Sequence, residues 1–128
     1  MIVAKSERVI CFDVDDTLII WNDLSYNLLG KLLPGYVEII CPHDNEKTRH
    51  RIHKRHVKFL KRQKAKGMTV VVWSQGGTAW AEAVVKALGI EEHVDFVMSK
   101  PEKCVDDLGN ASDIIGKVFF LSEEGHSI

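Results

Sequence analysis

Residues 8–14 (RVICFDV) form a run of β-branched and aromatic side chains that breaks directly into Asp13-Val14-Asp15-Asp16-Thr17. So short an apolar run, closed by acids, reads as a buried strand of a parallel sheet that delivers carboxylates to its C-terminal edge. Like charges side by side are costly unless a cation or a reaction uses them. In open α/β sheets the working crevice lies beyond the carboxyl ends of the strands, which is where this cluster emerges.

The rest of the chain supplies partners for such a strand. Residues 68–73 (MTVVVW) read as a second buried strand closed by Ser74, followed by a turn at Gln75-Gly76-Gly77. From Thr78 the apolar positions Trp80, Ala83, Val84, Ala87 and Leu88 keep helical spacing as far as a Gly89 stop. Residues 94–98 and 118–121 predict two further short strands. Ile52, His56, Phe59, Leu60 and Gln63 recur at helical spacing and predict one helix over 46–66, ended by Gly67. Residues 18–45 hold Gly30, Pro34, Gly35 and Pro42 without a clean period, predicting an irregular flap with a short helix over 24–33 and a strand over 36–40. The alternation predicts an α/β fold with a parallel sheet, and 128 residues suit a single domain over 1–128.

Composition narrows the setting. The longest apolar runs fall far short of the roughly 20 residues that span a bilayer, so no membrane helix is expected. Lys5, Glu7 and Arg8 stand where a secretory signal needs an apolar stretch, and a cytoplasmic chain is expected. Cys11, Cys41 and Cys104 make no CxxC pair and are an odd number, so reduced core thiols are expected. Charge is uneven: residues 47–66 carry ten Lys and Arg and no acid, leaving seven basic against 18 acidic side chains elsewhere. That block reads either as a solvated helix face or as a surface for phosphate-rich partners such as nucleic acid. There is no GxxxxGK[ST] loop and no GxGxxG, so neither a P-loop NTPase nor a dinucleotide enzyme is indicated.

With these residues in view, Cys11-Phe12-Asp13-Val14-Asp15-Asp16-Thr17-Leu18 resembles the first motif, hhhhDxDx[TV], of the haloacid dehalogenase (HAD) superfamily of phosphotransferases. The superfamily's later motifs have counterparts in order: Ser74 after the second strand, Lys100 after the third, and the acidic pair Asp106-Asp107. The resemblance implies a Rossmann-like three-layer sandwich with a central, mostly parallel sheet, and a Mg²⁺-dependent phosphatase acting on a phosphorylated small molecule or macromolecular end. Asp13 would be the nucleophile, giving an aspartyl-phosphate, and Asp15 the acid and then the base. Mg²⁺ would sit between Asp13, the backbone carbonyl of Asp15 and one of Asp106 or Asp107, with Asp107 favoured by the resemblance. Lys100 would neutralise the nucleophile and phosphoryl group, Ser74 or Thr17 would donate hydrogen bonds, and the N–H groups around Gln75 and Gly76 would face a phosphoryl oxygen.

One spacing departs from that pattern. Only residues 101–105 separate Lys100 from Asp106, too few for a parallel crossover, which leaves Lys103 as a rival to Lys100. Residues 18–45 are too few for a substantial cap, so the resemblance implies a capless site. Trp21, Tyr26 and Tyr36 in that flap either stack on a base or sugar or pack on the domain. His50, His53 and His56, three apart on the expected helix, drift around it without an acidic partner and are not expected to bind metal; His56 falls on the apolar stripe.

Overall fold

A computed structural model describes residues 8–21, 25–110 and 114–122. Its elements in chain order are β1 (Val9–Asp13), β2 (Ile19–Trp21), β3 (Tyr36–Ile40), β4 (Lys47–Ile52), α1 (Lys54–Ala65), β5 (Thr69–Ser74), α2 (Thr78–Ala87), a 3₁₀ turn (Glu91–His93) and β6 (Phe96–Ser99). The fold is α/β, as the alternation implies. β1, β5 and β6 form a parallel sheet in the order β1-β5-β6, and β2, β4 and β3 form a small antiparallel sheet in the order β2-β4-β3.

Central β5 is the most apolar strand because it has neighbours on both edges and helices packed on it. Val70, Val71 and Val72 are all buried, and both α1 and α2 lie against β5. Leu60 of α1 and Trp80, Ala81, Val84 and Val85 of α2 close the core with Phe12, Val14, Leu18, Ile19, Ile39 and Ile90. Each fully buried Val, Leu or Ile contributes about 1.5–3 kcal/mol by leaving water. No helix among the described residues is long and apolar enough to cross a membrane.

The expected helix over 46–66 is two elements. Its first part is β4, whose exposed Lys47 and Arg49 alternate with half-buried Thr48 and buried His50. That period of two is the pattern of a half-buried strand, and pairing with β3 (Tyr36↔Arg51 to Ile40↔Lys47) fixes it. The helix begins only at Lys54, where the Nδ1 of His53 accepts the N–H of His56 as a side-chain cap. Gly67, at φ +89°, ends it as expected. The flap is therefore a three-stranded sheet that reaches residue 52 instead of an irregular stretch ending at 45.

Two other expectations are corrected. Residue 24 lies outside the described residues, and over 25–33 no helix forms. There, Asn27 holds a tight turn through its side-chain bonds to the N–H groups of Leu29 and Lys31, the competition with helix that short amides offer. Residues 118–121 form no strand: both backbone groups of Leu121 are taken by imidazoles of His53 and His56, not by a neighbouring strand. The strand expected over 36–40 forms as β3.

Candidate active site

Three parallel strands end side by side, and their register decides what meets. Asp13 of β1 pairs with Trp73 of β5, and Ser74 of β5 pairs with Ser99 of β6. Lys100 follows β6 and its N–H bonds the Ser74 carbonyl at 2.9 Å. Its ammonium thereby stands 3.9 Å from Asp13 Oδ1, both side chains about one-third exposed. Lys100, not the exposed Lys103, lies against Asp13.

The segment after β1 is folded back tightly. The buried Val14 carbonyl accepts the N–H groups of Thr17, Leu18 and Ile19, and Asp16 takes a left-handed φ of 61°, a conformation that Asp tolerates better than most residues. This brings the Thr17 hydroxyl onto Asp13 Oδ2 at 3.2 Å. The Asp15 carbonyl accepts none of the turn's backbone bonds among the described residues.

The Asp15 carboxylate is bonded to two indoles. Trp21 Nε1 donates to Asp15 Oδ1 at 3.0 Å and Trp80 Nε1 donates to the same oxygen at 3.3 Å. His50 lies beside both rings, 4.3 Å from Trp21 and 5.8 Å from Trp80. Burial pushes His50 below its ordinary pKa, while the charge of Asp15 pulls the other way. Its Nε2 meets the Thr48 hydroxyl at 2.8 Å, and its buried Nδ1 has no hydrogen-bond partner among the described residues.

Ser74 is fully buried, and its Oγ accepts the Gly76 N–H at 3.0 Å. That bond shapes the exposed turn at Gln75 and Gly76. Gly76 is needed there, since a Cβ would come within 2.9 Å of the Trp80 ring. At the start of α2, the Thr78 N–H is capped by Ser99 Oγ at 3.1 Å.

Asp106 and Asp107 are exposed on a stretch without regular structure. The Leu108 N–H, then Asp107, hold the Asp106 carboxyl below its usual range. No three His, Cys, Asp or Glu side chains gather closely enough to hold a metal among the described residues. Asp13, Asp15 and the acidic pair therefore do not form a group of three metal-binding side chains. The donor set fits Mg²⁺ in part: the Asp13 carboxylate and Asp15 carbonyl are hard oxygen donors, and Mg²⁺ commonly keeps several waters.

Sequence reasoning did not find Trp80 and His50 as neighbours of Asp15. Trp80 sits on the apolar face of its helix and reads as core; His50 is three residues from His53, a spacing that reads as helix although the two lie on different elements. Comparison of the chain with family models, curated proteins and solved structures gives no match.

Proposed function

We propose that this chain is a phosphomonoester hydrolase of HAD-like type in which Asp13 is the nucleophile. One observation carries the reading: Asp13, Thr17 and Lys100, from both ends of the chain, meet at the C-terminal edge of the parallel sheet. Thr17 fixes one carboxylate oxygen, leaving Oδ1 to attack phosphorus, and the Lys100 charge offsets repulsion between carboxylate and phosphoryl dianion. Asp15, held by its Oδ1 on two indoles, keeps its other oxygen for protonating the leaving oxygen and then for taking a proton from the water that cleaves the aspartyl-phosphate. Mg²⁺ is proposed as cofactor, bound by Asp13, the Asp15 carbonyl and one of Asp107 or Asp106, where it would neutralise phosphoryl charge.

Hydrolysis of p-nitrophenyl phosphate with and without Mg²⁺, by wild type and Asp13→Asn, tests this. Turnover that requires Mg²⁺ and drops about a thousandfold or more in the variant is expected. Equal turnover by the two proteins would defeat the reading.

A second reading concerns the basic block. Lys58, Lys61, Arg62 and Lys66 are exposed on or just after α1, which favours a phosphate-rich macromolecule as partner, either as substrate end or as bound nucleic acid. Affinity for an oligonucleotide that falls steeply with salt, and falls again on neutralising these four, is the expected result; no binding at low salt would remove it.

A further inference from the structure

Trp21 bonds Asp15 through its indole N–H, a bond that does not use the ring face. The residue is 51% exposed, yet its orientation is over-determined. The indole N–H is tied to Asp15 Oδ1 at 3.0 Å. Its ring stacks on Trp80, centroids 6.3 Å apart and planes 28° from parallel. His50, its cross-strand partner, meets it edge-on at 4.3 Å. This backing is firm, because Trp80 is 6% and His50 0% exposed. An aromatic surface held this way and left open to solvent is a pre-organised platform, with little freedom left to lose when another ring settles on it.

Its position says which ring. On the hydrolase reading, on which this inference rests, Asp15 protonates the leaving oxygen, so the leaving group lies against Asp15. The indole bonded to that same carboxylate is therefore beside the leaving group and not beside the phosphoryl oxygens. We infer that Trp21 is a stacking platform for a planar ring carried by the leaving group, and that the substrates are phosphomonoesters of nucleosides or aryl alcohols. Stacking on a platform of this kind tolerates different rings, because every base and aryl group has a π face. It acts on bound substrate and transition state alike, so it lowers KM more than it raises kcat.

Adenosine 5′-monophosphate and ribose 5-phosphate share the same primary leaving oxygen and differ in the base, so they isolate the platform. Wild type is expected to show kcat/KM about tenfold or more higher for the nucleotide, mostly through KM. A second arm compares p-nitrophenyl phosphate with glycerol 3-phosphate; because their leaving groups differ in reactivity, this arm is read as the change in ratio between wild type and variant. A ratio that responds in the nucleotide arm, the aryl arm or both supports the platform and names the class of ring.

Trp21→Leu, which keeps apolar bulk without a ring, is expected to lower those ratios about tenfold, and Trp21→Phe to keep most of them. Equal turnover of nucleotide and ribose phosphate by wild type, with aryl ratios unmoved in Trp21→Leu, would overturn the platform while leaving the hydrolase reading standing. Should Trp21→Leu fail to fold, the wild-type nucleotide comparison decides alone. Failure to hydrolyse any phosphomonoester would remove the hydrolase reading, and the platform with it.

Discussion

The Nε2 of His56 accepts the backbone N–H of Leu121 at 2.8 Å, joining α1 to the far end of the described chain. That bond assigns the tautomer, placing the His56 proton on Nδ1, which donates to the Thr17 carbonyl at 2.7 Å. His53 is its complement. Its Nδ1 accepts the His56 N–H at 3.1 Å, so its Nε2 proton goes to the Leu121 carbonyl at 3.1 Å. The two rings stack 3.7 Å apart and 8° from parallel, with every ring nitrogen paired while both are neutral. Thr17 also bonds Asp13, so this clamp reaches the proposed nucleophile through one residue.

Acid is expected to destabilise the fold from the histidine range downward. Burial, first, pushes His56 below its ordinary value of 6.5; the Thr17 bond opposes it, and His53 and Arg55 add to the depression. His50 is lowered too, by burial. With the folded pKa depressed, the unfolded chain binds more protons, so the contribution is complete above 6.5 and is lost as pH falls below it toward the folded values. Thermal melts between about pH 7.5 and pH 5 should show a falling Tm, with a shallower slope in His56→Gln. A flat profile would contradict the neutral clamp.

Removing the ring should free the segment around Leu121. His56→Ala leaves the Leu121 N–H and the Thr17 carbonyl without a partner and takes away the ring that meets Phe120 at 5.0 Å. A loss of about 1–3 kcal/mol in denaturant unfolding is expected. Faster exchange of the Leu121 amide should accompany it, and an unchanged amide would show that the clamp does not hold the segment.

Gly76→Ala puts a methyl 2.9 Å from Trp80 Cδ1 and 3.3 Å from Ser74 Oγ. Trp80 is packed in the core and bonded to Asp15, so it has little room to yield. Destabilisation of about 1–3 kcal/mol is expected, with reduced kcat as Asp15 shifts. Gly109→Ala, where a Cβ meets nothing within 4 Å, serves as the neutral comparison in the same unfolding experiment.

Thr17→Val deletes the 3.2 Å bond on Asp13 Oδ2 while keeping side-chain shape. A hydrogen bond to a charged group is worth about 1.5–3 kcal/mol, so kcat is expected to fall about tenfold or more. Thr17→Ser should recover most of it. Equal kcat in the valine and serine variants would remove Thr17 from the site.

The strands and their carboxylates were legible because the signals are local. A short β-branched run ending in acids predicts β1 and its edge, and MTVVVW predicts β5, whatever the distant chain does. The Asp13–Lys100 meeting follows from two strand ends in one parallel sheet. What misled was a stretch with two valid periods: Ile52, His56, Phe59, Leu60 and Gln63 recur at helical spacing, while residues 47–52 also alternate as a strand. Pairing with β3, invisible in a local window, decided for the strand. Leu121 was misread for a related reason, since an apolar run does not reveal that its backbone groups go to imidazoles. The placement of Asp15 on Trp21 and Trp80, 65 residues apart in the longer case, had no signal in spacing.

The central claim is that Asp13 carries the phosphoryl group, and trapping that group tests it most directly. Wild type and Asp13→Asn would be acid-quenched during turnover of adenosine 5′-monophosphate with Mg²⁺, reduced with borohydride, digested and mapped by mass. An acyl phosphate at Asp13 is reduced to homoserine, so homoserine at position 13 in wild type, and none in the variant, is the predicted result. Turnover with an unmodified Asp13, or with the label on another residue, would contradict the account.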